Sequence, residues 1–261
     1  MGTEKRKSYY VRTYRHLHAE WFKLCLFLVG IVLPTILIVI INLTSITHFI
    51  SQTSIHLLGE FFRGIPMYIV KDEFSILGTI EYVDMPTIYP EISFTFGNFI
   101  VLFVLLILCL SSKRKGKPLA IYVMFSILIH MINCIYFIFA PNHFPYDILD
   151  FSGLYMKQQI GIWITFIVLT GLVVSYVGTR GFINKTVTFF AILCYSVIFG
   201  FIRYILFLFI LQKFSILYMA LMFFSFGPLF DFVYMVYIYA HFINKMVKLY
   251  DKEGREDWEW A

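Results

Sequence analysis

Six apolar stretches punctuate this chain, and the polar connections between them change character from one to the next. The apolar runs cover 24–43, 94–110, 119–140, 160–178, 187–211 and 215–243. A helix rises 1.5 Å per residue, so roughly 20 residues cross about 30 Å of hydrocarbon. Runs of this length predict an all-α integral membrane protein with six transmembrane helices in a single polytopic domain spanning 1–261. The first run is too long for the core of a cleaved signal peptide and no small-residue cleavage site follows it, so it reads as a signal anchor.

The connections carry their own periodicities. In the basic N-terminus, 1–23, a helix would set Tyr10, Tyr14, Leu17 and Trp21 along one stripe, as in a segment lying flat on a membrane surface. The connection 44–93 is the longest polar stretch. Within it Ile55, Leu58, Phe61, Phe62 and Ile65 recur against His56, Glu60 and Arg63 at helical spacing, predicting a short interfacial helix that Pro66 closes. Beyond it Phe74, Ile76, Ile80 and Tyr82, punctuated by Gly78, Pro86 and Pro90, predict short extended pieces and a hairpin. A tight turn at Gln212 and Lys213 joins the last two runs, and 244–261 forms a Trp-rich tail of mixed charge.

Charge orients the pattern. Of 21 Lys and Arg residues, sixteen fall in 1–23, the connections around Lys113 to Lys117 and Arg180 to Lys185, and the tail after Asn244. Segments retained in the cytoplasm collect Lys and Arg in this way, so both termini are expected there. The connection 44–93 carries Glu60, Asp72, Glu73, Glu81, Asp84 and Glu91 against Arg63 and Lys71, and is expected outside, as is the acidic connection through Asp147 and Asp150. An even number of spans agrees with both ends on one side.

Composition narrows the class further. With 60% hydrophobic residues, 14% charged and a mean hydropathy of +0.79, the chain has too little polar surface for a water-soluble globule. The net charge of +5 lies at the membrane edges, which assigns it to anionic lipid headgroups and not to nucleic acid. Abundant Phe, Ile and Lys suggest an AT-rich genome and a bacterial cytoplasmic membrane. Cys25, Cys109, Cys134 and Cys194 lie in apolar runs without metal-ligand spacing, and no cofactor or metal is expected. The two halves show no internal repeat of the kind common in secondary transporters.

Charges at membrane depth need a reason. Arg203 and Asp231 are the ionised candidates, on consecutive spans. Counted from the span ends, they would stand about 18 Å apart on straight helices, so a direct pair requires a broken sixth helix, for which Gly227 and Pro228 are the candidate break. Otherwise Arg203 reaches outward and Asp231 the inner interface. His130 and Asn133, one turn apart on the third span, complete the candidate intramembrane polar site.

No activated nucleophile, paired carboxylates or metal cluster appears. The expected function is a non-enzymatic membrane subunit that anchors or lines a larger assembly, such as an exporter or a polymer or lipid synthase complex, with lipids and other membrane or cytoplasmic subunits as partners. The stretch Ala19 to Lys23 followed by Pro34 resembles the opening of six-span permease subunits of ABC-type exporters over that one segment. The second-to-third connection is a short basic run where such subunits carry a coupling helix. The alternatives are a membrane-embedded enzyme acting on a lipid or lipid-linked substrate, with His130, Arg203 and Asp231 as its polar groups, and a stand-alone carrier or channel.

Overall fold

The computed structural model describes the backbone of residues 15–17, 21–111, 116–176, 182–253 and 258–260, with side chains except at 15–17, 76, 142, 228, 229, 232 and from 246 onward. The chain is predominantly helical, and five helices are long and apolar enough to cross a membrane: Trp21–Ile41, Ile92–Ser111, Pro118–Phe139, Ile148–Tyr176 and Phe182–Lys213.

Two prolines shape the helices in the same way. The first long helix is α1 (Trp21–Phe27), a π turn (Leu28–Val32) and α2 (Leu33–Ile41) in one run. Pro34 has no N–H to give and its ring presses on the preceding turn. The helix widens there, and Leu33 N–H reaches back to the Leu28 carbonyl. Near the other end of the chain, the apolar segment Ile216–Phe226 ends in a second π turn, Leu221–Phe226, immediately before Pro228. Gly227 N–H bonds the Met222 carbonyl, and α8 (Gly227–Glu253) continues without a loop. The expected break at Gly227 and Pro228 is thus a widened turn inside a continuous helix.

The connection after the first helix folds into a compact unit. α3 (Leu43–Phe61) starts twelve residues before the helix expected around Ile55 to Ile65. Its buried stripe, Leu43, Thr47, Ile50, Ser51, Ser54 and Leu58, is half polar, and such a stripe requires polar partners that lipid lacks. It finds them in a hairpin of β2 (Tyr68–Glu73) and β3 (Thr79–Asp84), paired antiparallel with Tyr68 opposite Asp84 and Glu73 opposite Thr79. Gly78, at φ +103, supplies the turn conformation that a side chain would strain. The expected hairpin is thus a small addition to a predominantly helical chain.

A second correction falls at the N-terminus. Residues 1–14 and 18–20 lie outside the described residues, but Arg15–Leu17 forms a strand, β1, and not a turn of the expected amphipathic helix. It pairs antiparallel with β4 (Trp258–Trp260), Arg15 opposite Trp260. Aromatic residues favour the extended state, and each strand satisfies the backbone of the other.

The remaining helices are α4 (Ile92–Ser111), α5 (Pro118–Phe139), α6 (Ile148–Tyr176) and α7 (Phe182–Lys213). α6 begins twelve residues before the expected 160, because Asp147 acts as its N-cap and accepts the Asp150 N–H at 2.8 Å. With 29 and 32 residues, α6 and α7 are about 43 and 48 Å long, well beyond a 30 Å hydrocarbon layer. The α3–hairpin unit packs on the surplus, at the Ile148 end of α6 and the Lys213 end of α7.

α6 and α7 carry the core, with Trp163, Tyr155, Phe151, Phe207 and Leu208 fully enclosed. α4 is the opposite: only 6% of its apolar window is buried, against 44% for α6. α4 and α5 pack on each other and are tied to the 216–226 segment. Tyr218 donates to Asn98 at 2.8 Å, Asn133 donates to the Leu217 carbonyl, and Tyr122 to the Ser225 carbonyl.

Candidate functional site

Arg203 and Asp231 form a direct ion pair, Nη2 to Oδ2 at 2.9 Å, with both side chains almost fully enclosed. The depth count from the sequence failed because it placed the helix ends at the membrane edges. A shared reference lies at the other end of the two helices, where Lys245 of α8 donates to Asn184 of α7 at 3.1 Å. From that level Arg203 stands nineteen residues up, about 28 Å, and Asp231 fourteen, about 21 Å. The remaining 7 Å or so is spanned by the long Arg side chain.

Around the pair, α6 and α8 each supply two partners. Arg203 Nε donates to the Tyr155 hydroxyl at 2.7 Å, Nη2 to Gln159 Oε1 at 2.7 Å, and Nη1 to the Gly227 carbonyl at 2.6 Å. Tyr155 passes its own proton to the Gly200 carbonyl at 3.0 Å, and Tyr234 donates to Asp231 Oδ1 at 3.1 Å. Four of the five guanidinium N–H groups are therefore engaged by protein. The guanidinium also lies 5.4 Å from the Tyr155 ring centre and 6.0 Å from that of Phe199. Burying two charges is costly unless they are paired and hydrogen-bonded, and here four of the five N–H groups and both carboxylate oxygens have a partner.

Gly200 makes this approach possible. A Cβ at that position would collide with the Gln159 amide, so the absence of a side chain is what lets that amide lie against α7 and face Arg203.

His130 and Asn133 do not join the pair. They face the turn at Ile216–Tyr218, where the His130 ring stacks on Tyr218 at 4.8 Å and Asn133 donates to the Leu217 carbonyl. Both His130 ring nitrogens are buried without a hydrogen-bond partner. Gly227 contributes its carbonyl to Arg203, while the side chain of Pro228 lies outside the described ones. Tyr155 and Gln159 were missed by sequence reading because they fall in 148–159, which was assigned to a connection. Their spacing of four residues was the available signal. Tyr234 was missed as well, and its place one turn after Asp231 was the available signal.

A second polar cluster locks the α3–hairpin unit. The Glu81 carboxylate, 3% exposed, meets His48 Nδ1 at 2.5 Å and Lys71 Nζ at 2.9 Å. Its backbone is held as well: Ser51 donates to the Glu81 carbonyl at 3.0 Å, and Glu81 N–H donates to Thr47 at 3.1 Å. Burial works to raise the Glu81 carboxyl, but the Lys71 and His48 contacts outweigh it and hold the group below its usual value. Lys157 on α6 reaches Asp72 of the hairpin at 2.6 Å, and that hydrogen bond lowers the Asp72 carboxyl. Among the described residues, no group of three or more His, Cys, Asp or Glu is placed to hold a metal ion.

No protein family, curated protein or solved structure matches the chain.

Proposed function

We propose that this chain is a six-span, non-enzymatic subunit that anchors or lines a larger membrane assembly, such as the transmembrane component of an exporter or of a polymer or lipid synthase complex. The observation that carries this reading is the closure of the Arg203–Asp231 site. A group that binds phosphate or relays protons to substrate needs free donors facing a cavity, whereas four of Arg203's N–H groups are consumed internally. The pair thus serves to fix α6, α7 and α8 in register. The bare apolar surface of α4 leaves room for neighbouring subunits as well as lipid.

The same reading places both termini in the cytoplasm of a bacterial cell and the α3–hairpin unit outside. Pairing of β1 with β4 supports it, since a strand before the first span and a strand after α8 can meet only on one face of the membrane. The reading counts 216–253 as a sixth crossing, which makes the number even. The biased distribution of Lys and Arg selects the cytoplasmic face.

Affinity isolation of the intact chain in mild detergent tests the reading. A membrane or cytoplasmic subunit recovered in fixed stoichiometry is expected, and retained with Asp231→Asn if that variant folds. Recovery of the chain alone, turning over a lipid or lipid-linked substrate, overturns it.

A further inference from the structure

α6 and α7 run antiparallel in a register that three contacts fix. Tyr155 stacks on Tyr204, and one turn on the Gln159 amide lies against Gly200. At the far end Lys185 donates to the Ser175 carbonyl at 3.0 Å, so the two helices stay in step. The turn after Gln159 and Gly200 therefore sets Trp163 opposite Ser196. From α8, Tyr234 closes the same level, its ring meeting Tyr195 at 4.7 Å and Phe166 at 6.0 Å.

Three polar groups come together at this level unmatched. Gln159 Nε2, Trp163 Nε1 and Ser196 Oγ have no hydrogen-bond partner among the described residues. The three residues are 2%, 1% and 0% exposed, so neither bulk water nor a lipid headgroup reaches them. Arg203 holds the Gln159 oxygen, which turns the amide nitrogen away from the ion pair and against Gly200. Tyr234 lies near Ser196, but its proton is given to Asp231 and the two hydroxyls do not meet in hydrogen-bond geometry. Of the three groups, the amide N–H and the indole N–H can only donate, and the hydroxyl can also accept. Buried donors left unmet cost free energy, which a small group carrying both lone pairs and protons recovers.

We propose that Gln159, Trp163 and Ser196 bind one structural water molecule, which accepts from Gln159 Nε2 and Trp163 Nε1 and donates to Ser196 Oγ. Three bonds is the usual number for a buried water. Water is also the ligand whose charge fits. Arg203 and Asp231 already neutralise each other, so an anion in this place would be a buried charge without a counterpart. The bound water extends the ion-pair network by one turn along α6 and α7, as far as the apolar level of Ile167 and Ile192. The inference needs neither a partner subunit nor a particular orientation in the membrane, so it stands or falls apart from the isolation experiment.

The test exposes the full chain in lipid nanodiscs to an X-ray pulse, which turns water into hydroxyl radicals, and locates the oxidised side chains by mass spectrometry. A radical formed at the site meets Trp163 before it can escape. Relative to intrinsic reactivity, Trp163 should be oxidised about tenfold more than Phe137 and Phe151, which are equally enclosed but lie away from the three polar groups. Ser196→Val, which replaces the accepting hydroxyl with methyl groups, should lower the Trp163 yield at least threefold. Ser196→Ala should lower the thermal midpoint, because a bonded hydroxyl is lost, whereas removal of an unbonded one would raise it. Protection of Trp163 equal to that of the two phenylalanines overturns the proposal, as does a Trp163 yield unchanged by Ser196→Val or a midpoint that rises in Ser196→Ala. Labelling of the unaltered chain needs no variant, so misfolding of either variant leaves the test intact.

Discussion

Tyr155 and Tyr204 stack at 5.4 Å with 20° between their ring planes, and through that contact the α3–hairpin unit meets the buried ion pair. The Tyr204 hydroxyl accepts the Val83 N–H of β3 at 2.9 Å and lies 2.5 Å from Ser152 Oγ. The Tyr155 hydroxyl holds Arg203. Two tyrosines one above the other therefore join a hairpin outside the long helices to a charge pair within them.

Replacing Tyr204 with Phe keeps the ring and deletes the acceptor for Val83. A buried N–H left unmet costs about 1–3 kcal/mol. Limited proteolysis between α3 and α4 should become faster in Tyr204→Phe while the long helices resist cleavage as before. Unchanged cleavage would remove Tyr204 from its anchoring role.

Arg203→Ala strands Asp231 in a closed site, and loss of one partner of a buried pair typically costs about 3–5 kcal/mol. The double variant Arg203→Ala with Asp231→Ala should cost clearly less than the two single losses together, because neither charge is then left alone. Unfolding in mild detergent, followed by size exclusion, measures both. Additive losses would show that the pair does not act as a unit.

Gly200→Ala places a methyl against the Gln159 amide, so Gln159 must move and Arg203 loses an acceptor. A loss of about 1–3 kcal/mol is expected, the range for overpacked sites. Gly59→Ala, in α3 with open space around it, should be neutral or slightly stabilising. Equal effects of the two on the thermal midpoint would contradict the close approach of α6 and α7.

The α3–hairpin unit should loosen in acid. Glu81 and Asp72 have folded values below their usual 4.5 and 3.8, so the unfolded chain takes up protons first. Their contribution is complete well above pH 4.5 and is lost as the pH falls through the lower folded values. Proteolysis by an acid-active protease should show the hairpin opening only as the pH is taken below 4.5, with a weaker pH dependence in Glu81→Gln. Asp84 works in the other direction: burial and then Asp147 raise its carboxyl, so Asp84→Asn should stabilise the unit near neutral pH.

Orientation is checked by cysteines introduced one at a time into a background lacking the native four. Sites near Glu81 and Asp147 should react with an impermeant reagent from outside, and sites near Lys115 and Lys248 only after lysis. The reverse pattern would invert the proposed topology.

Apolar length made the five long helices legible, and turn residues around Gly78 made the hairpin so. The start of α6 was hidden because Tyr155, Lys157, Gln158 and Gln159 look like loop residues until the Asp147 cap is seen, with Asp72 of the hairpin meeting Lys157 and Arg203 meeting Tyr155 and Gln159. The Arg203–Asp231 contact was hidden for a geometric reason. Helix length beyond the membrane cannot be counted from hydropathy, and an error of one or two turns at each end is enough to separate the two charges. Proline positions were legible, but that both would be absorbed as π turns depends on neighbours that keep the helix from kinking open.

The ties between the α4–α5 pair and the rest of the protein have a temporal consequence. Asn98, Asn133 and Tyr122 all bond to 216–226, a segment that leaves the ribosome about a hundred residues after them. Until that stretch is inserted, α4 and α5 have one another and little else, and their assembly into the protein is completed only near the end of translation.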